Sequence, residues 1–386
     1  MEFKGYRRPD GRVGIRNHVL ILPCSLCASE TARFIASQVP GSVYIPNQGG
    51  CALSKADLDI TIRVLSGFAA NPNVYGTVVV ANTCENVQPD LLIEEIKKKT
   101  NKPVEKVVIR DIGGTIKAAE AGVRYASQMS REASKLEKES FDISELILAT
   151  ECGGSDPTSG LAANPTLGVV SDKIVELGGT SILSETSELV GTEEILAPRC
   201  INEGVAEKLL KIIKDNEEYF EKAGESLRDG NPSAGNKEGG LTTLEEKSLG
   251  CIHKAGYAPI NEVYEYGAMV DKKGLVVMDT PGQDIASIAA MVAGGAQVVI
   301  FTTGRGTPTG NGIVPVIKIT GNSETAKLME DNIDFDASSI ISGQSTIEEN
   351  GEKLFELLME VVNGQQSKAE SLGFNDMSLA RKCNFC

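Results

Sequence analysis

Histidine is almost missing from this 386-residue chain, with His18 and His253 its two examples. Zinc sites built on imidazole are nearly excluded, so any metal must rest on cysteine, carboxylate and hydroxyl groups. Basic charge is also scarce: 38 Lys and Arg face 53 Asp and Glu, a formal net charge of −15. That balance argues against a nucleic-acid partner, because phosphate binding needs a basic face. No apolar run approaches the roughly 18 residues that suggest a membrane span. The N-terminal stretch MEFKGYRRPDGRVG is polar and glycine-rich rather than a secretory leader. A cytoplasmic protein with no membrane partner is therefore expected. GRGTPTGN lacks the Gly-Lys-Ser/Thr of a phosphate loop, which removes an ATPase, and no period suggests a repeat array.

What the chain does have is length and apolar content for more than one core. With 41% hydrophobic residues, two or three domains are expected. Short β-branched runs alternate with longer helical segments, the pattern of α/β construction around largely parallel sheets. Strands are expected at 18–22, 77–81, 106–110, 146–150, 180–183, 275–278, 297–301 and 316–319. Helices are expected at 29–38, 55–69, 89–99, 115–138, 164–177, 205–223, 242–250, 284–293 and 346–363, with Pro89 and Pro165 suited to first turns. SREASKLEKESFD, from Ser130, reads either as a linker or as the solvated end of a helix. LRDGNPSAGNKEGG is a run of turn formers with little to bury, and is expected as a linker or substrate lid. The expected plan is two packed α/β domains: an N-terminal domain over 1–140, a middle α/β segment over 141–228, the linker or lid over 229–241, and a C-terminal domain over 242–386.

Open parallel sheets bind ligands beyond the carboxyl ends of their strands, so the residues after each strand carry the functional signal. Those segments are PCSLC, NTCEN, DIGG, ECGGSD, SETSE, DTPG and TTGRGTPTGNG. Nine cysteines form no dense disulfide frame. Four of them, Cys27, Cys51, Cys84 and Cys152, fall in loops. Their convergence on strand ends points to a thiolate-bound metal, with iron the best candidate. Cys200 and Cys251 read as inert core. Cys24 with Cys27, and Cys383 with Cys386, form CxxC pairs without zinc-ribbon spacing. Arg305, between Gly304 and Gly306, suits a carboxylate clamp. Arg16 and Asn17 precede the first strand and can hold either substrate or backbone. Asp279 or Thr280 of DTPG can serve a turn or a ligand. Glu85, Glu151, Glu185 and His18, at strand ends or nearby, are the candidate general bases.

GRVGIRNHVLILP, PNQGGC, NTCEN, ECGGSDPTSGLAANPTLG, GGTSILSETSELVG, NPSAGNKEGGLTTLEEKSLG and MDTPGQDIASIAAMVAGGAQVVIFTTGRGTPTGN together resemble the altronate and galactarate dehydratases, from about residue 5 to 363. The resemblance implies a lyase acting on a small anionic hydroxy acid and using iron, as Fe²⁺ or an iron–sulfur cluster, or another divalent metal. In two-subunit members such as the (2R)-sulfolactate sulfo-lyases, the large subunit looks like this chain and a small domain is a separate polypeptide. A separate small subunit and an oligomeric assembly are expected accordingly. Gln48 stands where the family's turn before Cys51 carries a histidine, a departure that bears on the sugar-acid substrate. The elimination needs an α-proton removed beside a carboxylate while a metal stabilises the enediolate. Cys152 would then be a ligand, with Gly153 and Gly154 permitting close approach. Ser155, Asp156, Ser159, Thr280, Thr303 and Arg305 would face substrate, Asp156 joining the catalytic set. Two other readings stay open: a hydroxy-acid sensor that keeps the arginines and loses the metal, and a thiol-redox protein using Cys24 and Cys27.

Overall fold

The computed structural model describes residues 1–383. Strands β1 (Glu2–Arg7) and β2 (Val13–Gly14) open the chain, followed by β3 (His18–Pro23), β4 (Ser42–Tyr44), β5 (Val74–Ala81) and β6 (Val104–Val108). The last four form an all-parallel sheet in the order β4-β3-β5-β6. Strand β7 (Glu139–Asp142) then returns to pair antiparallel with β1, so β2, β1 and β7 make a small separate sheet. The remaining strands are β8 (Ile147–Cys152), β9 (Thr180–Leu183), β10 (Ile260–Tyr264), β11 (Gly274–Met278), β12 (Val298–Thr303), β13 (Val316–Thr320) and β14 (Phe335–Asp336). They form a seven-stranded parallel sheet in the order β10-β11-β9-β8-β12-β13-β14. All eight expected strands are present. Those missed are the antiparallel strands β1, β2 and β7 and the outer strands β4, β10 and β14, which carry partly exposed or very short sequences.

Parallel sheets covered on both faces need strands that are apolar throughout, and β11 (GLVVM) and β12 (VVIFTT) are buried at every position. One core spans both large sheets, joining Leu20, Leu22, Phe68 and Val79 to Met278, Met291, Val299 and Phe301. Helix Lys55–Ala70 lies against helix Asp284–Ala293, and a Cβ on Gly67 would fall 2.5 Å from the Ala293 carbonyl oxygen. Two buried asparagines fix the sheets together. The Asn71 amide donates to the Val292 and Ala296 carbonyls at 2.8 Å each, and the Asn73 amide to Gln297 and Ile313 at 2.9 and 3.1 Å.

The organisation corrects the expected segment boundaries. Strands β8 and β9 of the middle segment pair with β12 and β11 of the C-terminal segment, so residues on both sides of 229–241 build one sheet. The stretch 229–241 is a connection within that unit. It includes the short helix Ala234–Glu238, which is anchored where the Asn236 amide donates to the Ser155 carbonyl at 2.9 Å. The Ser130 stretch begins as the last turn of helix Thr115–Ala133 and ends in β7. No helix among the described residues is long and apolar enough to cross a membrane.

Asn73 also accepts from the Ile15 backbone N–H at 2.9 Å, so truncating it strands buried donors and acceptors on both sheets. Asn73→Ala is expected to lower unfolding free energy by about 2–4 kcal/mol. Urea denaturation checks this, and a loss below about 0.5 kcal/mol would show that the inter-sheet bonds are dispensable.

Candidate active site

Two loops and one helix meet at the C-terminal ends of β8 and β9. Cys152 ends β8, and Glu185 follows β9 in a left-handed conformation, φ 68°, that costs a non-glycine residue strain. Helix Leu244–Cys251 starts at Thr243, whose hydroxyl accepts the Glu246 N–H at 3.2 Å, and runs into the turn Ile252–Ala255. Its Lys247, Cys251 and Lys254 are spaced to share one face. That face meets Cys152. The Cys152 Sγ lies 3.8 Å from Cys251 Sγ and 3.2 Å from Glu188 Oε2. The Lys254 Nζ lies 3.4 Å from Cys152 Sγ and 3.1 Å from Cys251 Sγ, and pairs with Glu185. Lys247 Nζ pairs with Glu188 Oε1 at 2.5 Å.

A second group lies beside the first. Glu151, Glu185 and Asp284 bring carboxylate oxygens within 4.8 Å of one another. Glu151 Oε2 accepts from Ser287 Oγ at 2.6 Å and Ser184 Oγ at 3.2 Å, while Glu151 Oε1 and Glu185 Oε1 are buried without a hydrogen-bond partner. Burial and the Glu185 charge push Glu151 well above the usual carboxylate range. Burial, with the charges of Glu185 and Glu188, pushes Asp284 up to about 7. Glu188 behaves differently: burial acts to raise it, but Lys247 and Lys254 outweigh that and hold it low. Four carboxylates, Glu151, Glu185, Glu188 and Asp284, therefore face two ammonium groups, Lys247 and Lys254.

Two donor groups here could hold a cation: Cys152, Glu185, Glu188 and Cys251 together, and Glu151, Glu185 and Asp284 together. The thiols of Cys152 and Cys251 already surround the Lys254 ammonium, which burial would discharge but which those thiols and Glu185 keep protonated. The carboxylate trio leaves two buried oxygens, Glu151 Oε1 and Glu185 Oε1, without a partner, in a cluster whose carboxyl groups a divalent cation could hold in the charged form. Cys152, the expected ligand, belongs to a donor group with Glu185, Glu188 and Cys251, and the Lys254 ammonium lies 3.4 Å from its sulfur.

Two cavities open on this cluster. One of about 630 Å³ is lined by Cys152, Gly153, Glu188, Lys247, Asp284 and Arg305, among others. The other, about 260 Å³, is lined by Cys152, Ser155, Ser159, Asn164, Lys247 and Cys251, among others. Gly153 is required by close approach, since a Cβ there would sit 2.1 Å from Asp284 Oδ2.

The other sequence candidates divide sharply. Thr280 Oγ1 accepts the Glu185 N–H at 2.7 Å and so positions that carboxylate. Ser155 lines the smaller cavity with a hydroxyl lacking a partner. Asp156 lines it too, but its Oδ1 takes Thr158 Oγ1 at 2.6 Å and the Ser159 N–H at 3.1 Å, its Oδ2 takes Asn322 at 3.0 Å, and Ser159 Oγ closes the same turn. Thr303 accepts the Gly306 N–H at 2.9 Å, and Arg305 reaches the rim, bound to the Gly235 carbonyl and Glu238 at 2.9 and 3.1 Å.

The remaining candidates lie outside the cluster. Glu85 is consumed by the Asn82 and Thr83 N–H groups at 2.6 and 2.7 Å. His18 begins β3, at the opposite end from the loops, where burial holds its imidazole at about 4. Arg16 clamps Glu370 and the Val361 and Gln365 carbonyls, and Asn17 joins Arg8 to the Ala133 carbonyl. Both hold backbone. Cys27, Cys51 and Cys84 follow the four-stranded sheet, apart from Cys152. Cys24 is fully buried, with its thiol raised by burial and Glu85, the opposite of a redox nucleophile. Cys386 lies outside the described residues. Sequence reasoning missed Glu188, Asp284, Lys247, Cys251 and Lys254; the Lys-Cys-Lys helix face was the available signal.

A family model described as D-galactarate/altronate dehydratase, C-terminal, matches residues 143–384, and one described as D-galactarate dehydratase/altronate hydrolase, second domain, matches residues 5–134. Similar proteins include the (2R)-sulfolactate sulfo-lyase subunit beta of Chromohalobacter salexigens, 37% identical over 98% of this chain and 97% of its own length. The altronate dehydratases of Bacillus subtilis and Escherichia coli are 34% and 35% identical over 98% of this chain and 77% of theirs.

Asp284 gives a test of the electrostatics. Its folded-state value of about 7 lies above the ordinary 3.8, so its stabilising contribution is full below the ordinary value and is lost as pH rises through about 7. Asparagine mimics the protonated state and keeps that contribution. In metal-free protein, Asp284→Asn should melt higher than the parent at about pH 8 and level with it near pH 4. Parallel melting profiles across that range would refute the assignment.

Proposed function

This chain belongs to the D-galactarate/altronate dehydratase family and is a lyase, and on that premise we propose that it is the catalytic large subunit of a divalent-metal-dependent enzyme that expels sulfite from the carbon β to the carboxylate of a small sulfonated hydroxy acid. The observation that carries the metal is the buried trio Glu151, Glu185 and Asp284, with oxygens of Glu151 and Glu185 left without a partner. The full-length match to a sulfo-lyase β subunit supports the substrate class and a separate small subunit. Loss of water from a sugar acid is the second reading, supported by the altronate dehydratases.

Glu151, Glu185 and Asp284 would hold the ion, with Fe²⁺ the form the family resemblance favours. When bound it supplies a Lewis acid that stabilises the enediolate formed from the substrate carboxylate. The chain's own residues do the rest. Glu188, kept ionised by Lys247, lines the larger cavity and takes the α-proton. Lys247 faces both cavities and holds the departing anion with its ammonium. Arg305 at the rim presents a planar fork to the sulfonate or carboxylate. Ser287 and Thr280 fix Glu151 and Glu185 so that little reorganisation accompanies the charge shift.

The assay is release of sulfite from (2R)-sulfolactate, and of water from altronate or galactarate, by anaerobically purified chain with and without a small subunit. Sulfite release that requires both the small subunit and a divalent metal is expected. Full turnover in chelator, or no elimination from any of the three acids, would sink the proposal. Lys247→Met should lower kcat/KM by about 10²-fold or more, and Arg305→Lys by about tenfold to a hundredfold. Added divalent metal should raise the melting temperature of the parent but not of Glu151→Gln; equal shifts would place the ion elsewhere.

A further inference from the structure

Cys27, Cys51 and Cys84 remain without a task. Cys27 stands in the first turn of helix Leu26–Gln38, Cys51 in the connection after β4, and Cys84 in the loop after β5. Backbone bonds stitch these loops together. The Leu26 N–H donates to the Gly49 carbonyl at 2.8 Å, and the Val87 N–H to Gly50 at 3.1 Å. Gly50 has φ 99°, and a Cβ there would fall 2.2 Å from the Cys24 carbonyl oxygen, so a side chain would drive the Cys51 loop from the Cys27 loop. Glu85, by holding the Asn82 and Thr83 N–H groups, folds the third loop so that Asn82 Nδ2 reaches Cys84 Sγ at 3.7 Å. Partial burial and the neighbouring Cys84 and Cys27 thiols raise the Cys51 thiol.

A fourth thiol arrives from far along the chain. The backbone N–H groups of Lys382 and Cys383 donate to Asp57 at 2.7 and 3.2 Å, and Asp57 lies in the first turn of the helix that follows Cys51. Cys27, Cys84 and Cys383 are exposed and Cys51 is half-buried, and all are free. Neighbouring thiols on three stitched loops, two of them exposed, are an oxidation hazard unless ligated. A single ion does not suit them. Among the described residues, the donors packed within 4.8 Å of one another surround Cys152 and Glu151, and the three loop thiols are not among them. A polynuclear centre spans the wider gap, and four thiolates are the ligand set of iron–sulfur clusters.

We propose that Cys27, Cys51 and Cys84 bind an iron–sulfur cluster, with Cys383 as the fourth thiolate, at a site distinct from the carboxylate centre. Loading by transfer of a preassembled cluster is ligand exchange: each thiol releases its proton as its sulfur bonds iron, and no electrons move. The cluster ties the C-terminal tail to the loops that end the four-stranded sheet. This inference stands apart from the lyase reading, because sulfide content is measured without turnover.

Anaerobic full-length chain, as purified and after cluster transfer, is analysed for iron, acid-labile sulfide, visible absorption and electron paramagnetic resonance of the dithionite-reduced form. The parent should hold acid-labile sulfide, with iron at least equal to it and any excess assigned to the carboxylate centre. Cys27→Ser, Cys51→Ser and Cys84→Ser should each lose most of the sulfide, while Cys200→Ser and Cys152→Ser keep it. Cys383→Ser should retain a cluster with an altered spectrum. Circular dichroism and melting curves establish that each variant is folded; a folded Cys51→Ala that still lacks sulfide supports the assignment if a serine variant fails to fold. Parent protein without sulfide, sulfide surviving in a folded Cys27/Cys51/Cys84 triple variant, or sulfide lost with Cys152 would overturn the site. An unchanged spectrum in Cys383→Ser would overturn the tail's part in it.

Discussion

A lysine ammonium with no exposure at all sits within the candidate site, and the arrangement around it follows from keeping it charged. Lys254 is buried among Cys152, Cys251 and Glu185. An unpaired buried charge is far more costly than a surface one. The charge fixes Glu185 in its left-handed position at the end of β9 and orients the helix carrying Lys247 and Cys251. It also contacts the two thiols of Cys152 and Cys251.

The sheet order makes that arrangement possible. In the seven-stranded sheet β8 is flanked by β9 and β12, so the loops carrying Glu151 and Cys152, Glu185 and Glu188, and Arg305 open side by side. The helix beginning at Asp284 approaches within the space left by Gly153, and a methyl group there would occupy the carboxylate's place. Residues that do no chemistry carry much of the precision. Thr280 and Ser287 set the carboxylates, and Asp156 folds the turn that presents Ser155.

The two large sheets share one core but present two different donor sets. Thiols dominate the loops of the four-stranded sheet and carboxylates those of the seven-stranded sheet. Asn71 and Asn73, bonded across the junction, hold the two sets at fixed separation.

The amino-acid pattern was enough for eight of the eleven parallel strands among the described residues and for the nine main helices, because burial on both faces leaves unbroken apolar runs and breakers end them. It also pointed to Glu151, Glu185, Thr280 and Cys152, which share the site. Tertiary structure alone decided the company each residue keeps. Cys152 resembles Cys27, Cys51 and Cys84 in its local sequence, yet lies on the other sheet. Glu85 resembles Glu151 as a strand-end carboxylate, yet its oxygens are spent on two backbone N–H groups. Lys247, Cys251 and Lys254 looked like an ordinary helix face. The physical reason is that burial pattern is written locally, residue by residue, whereas a charge cluster depends on strand order and helix docking, which bring together residues about a hundred positions apart, such as Cys152 and Lys254.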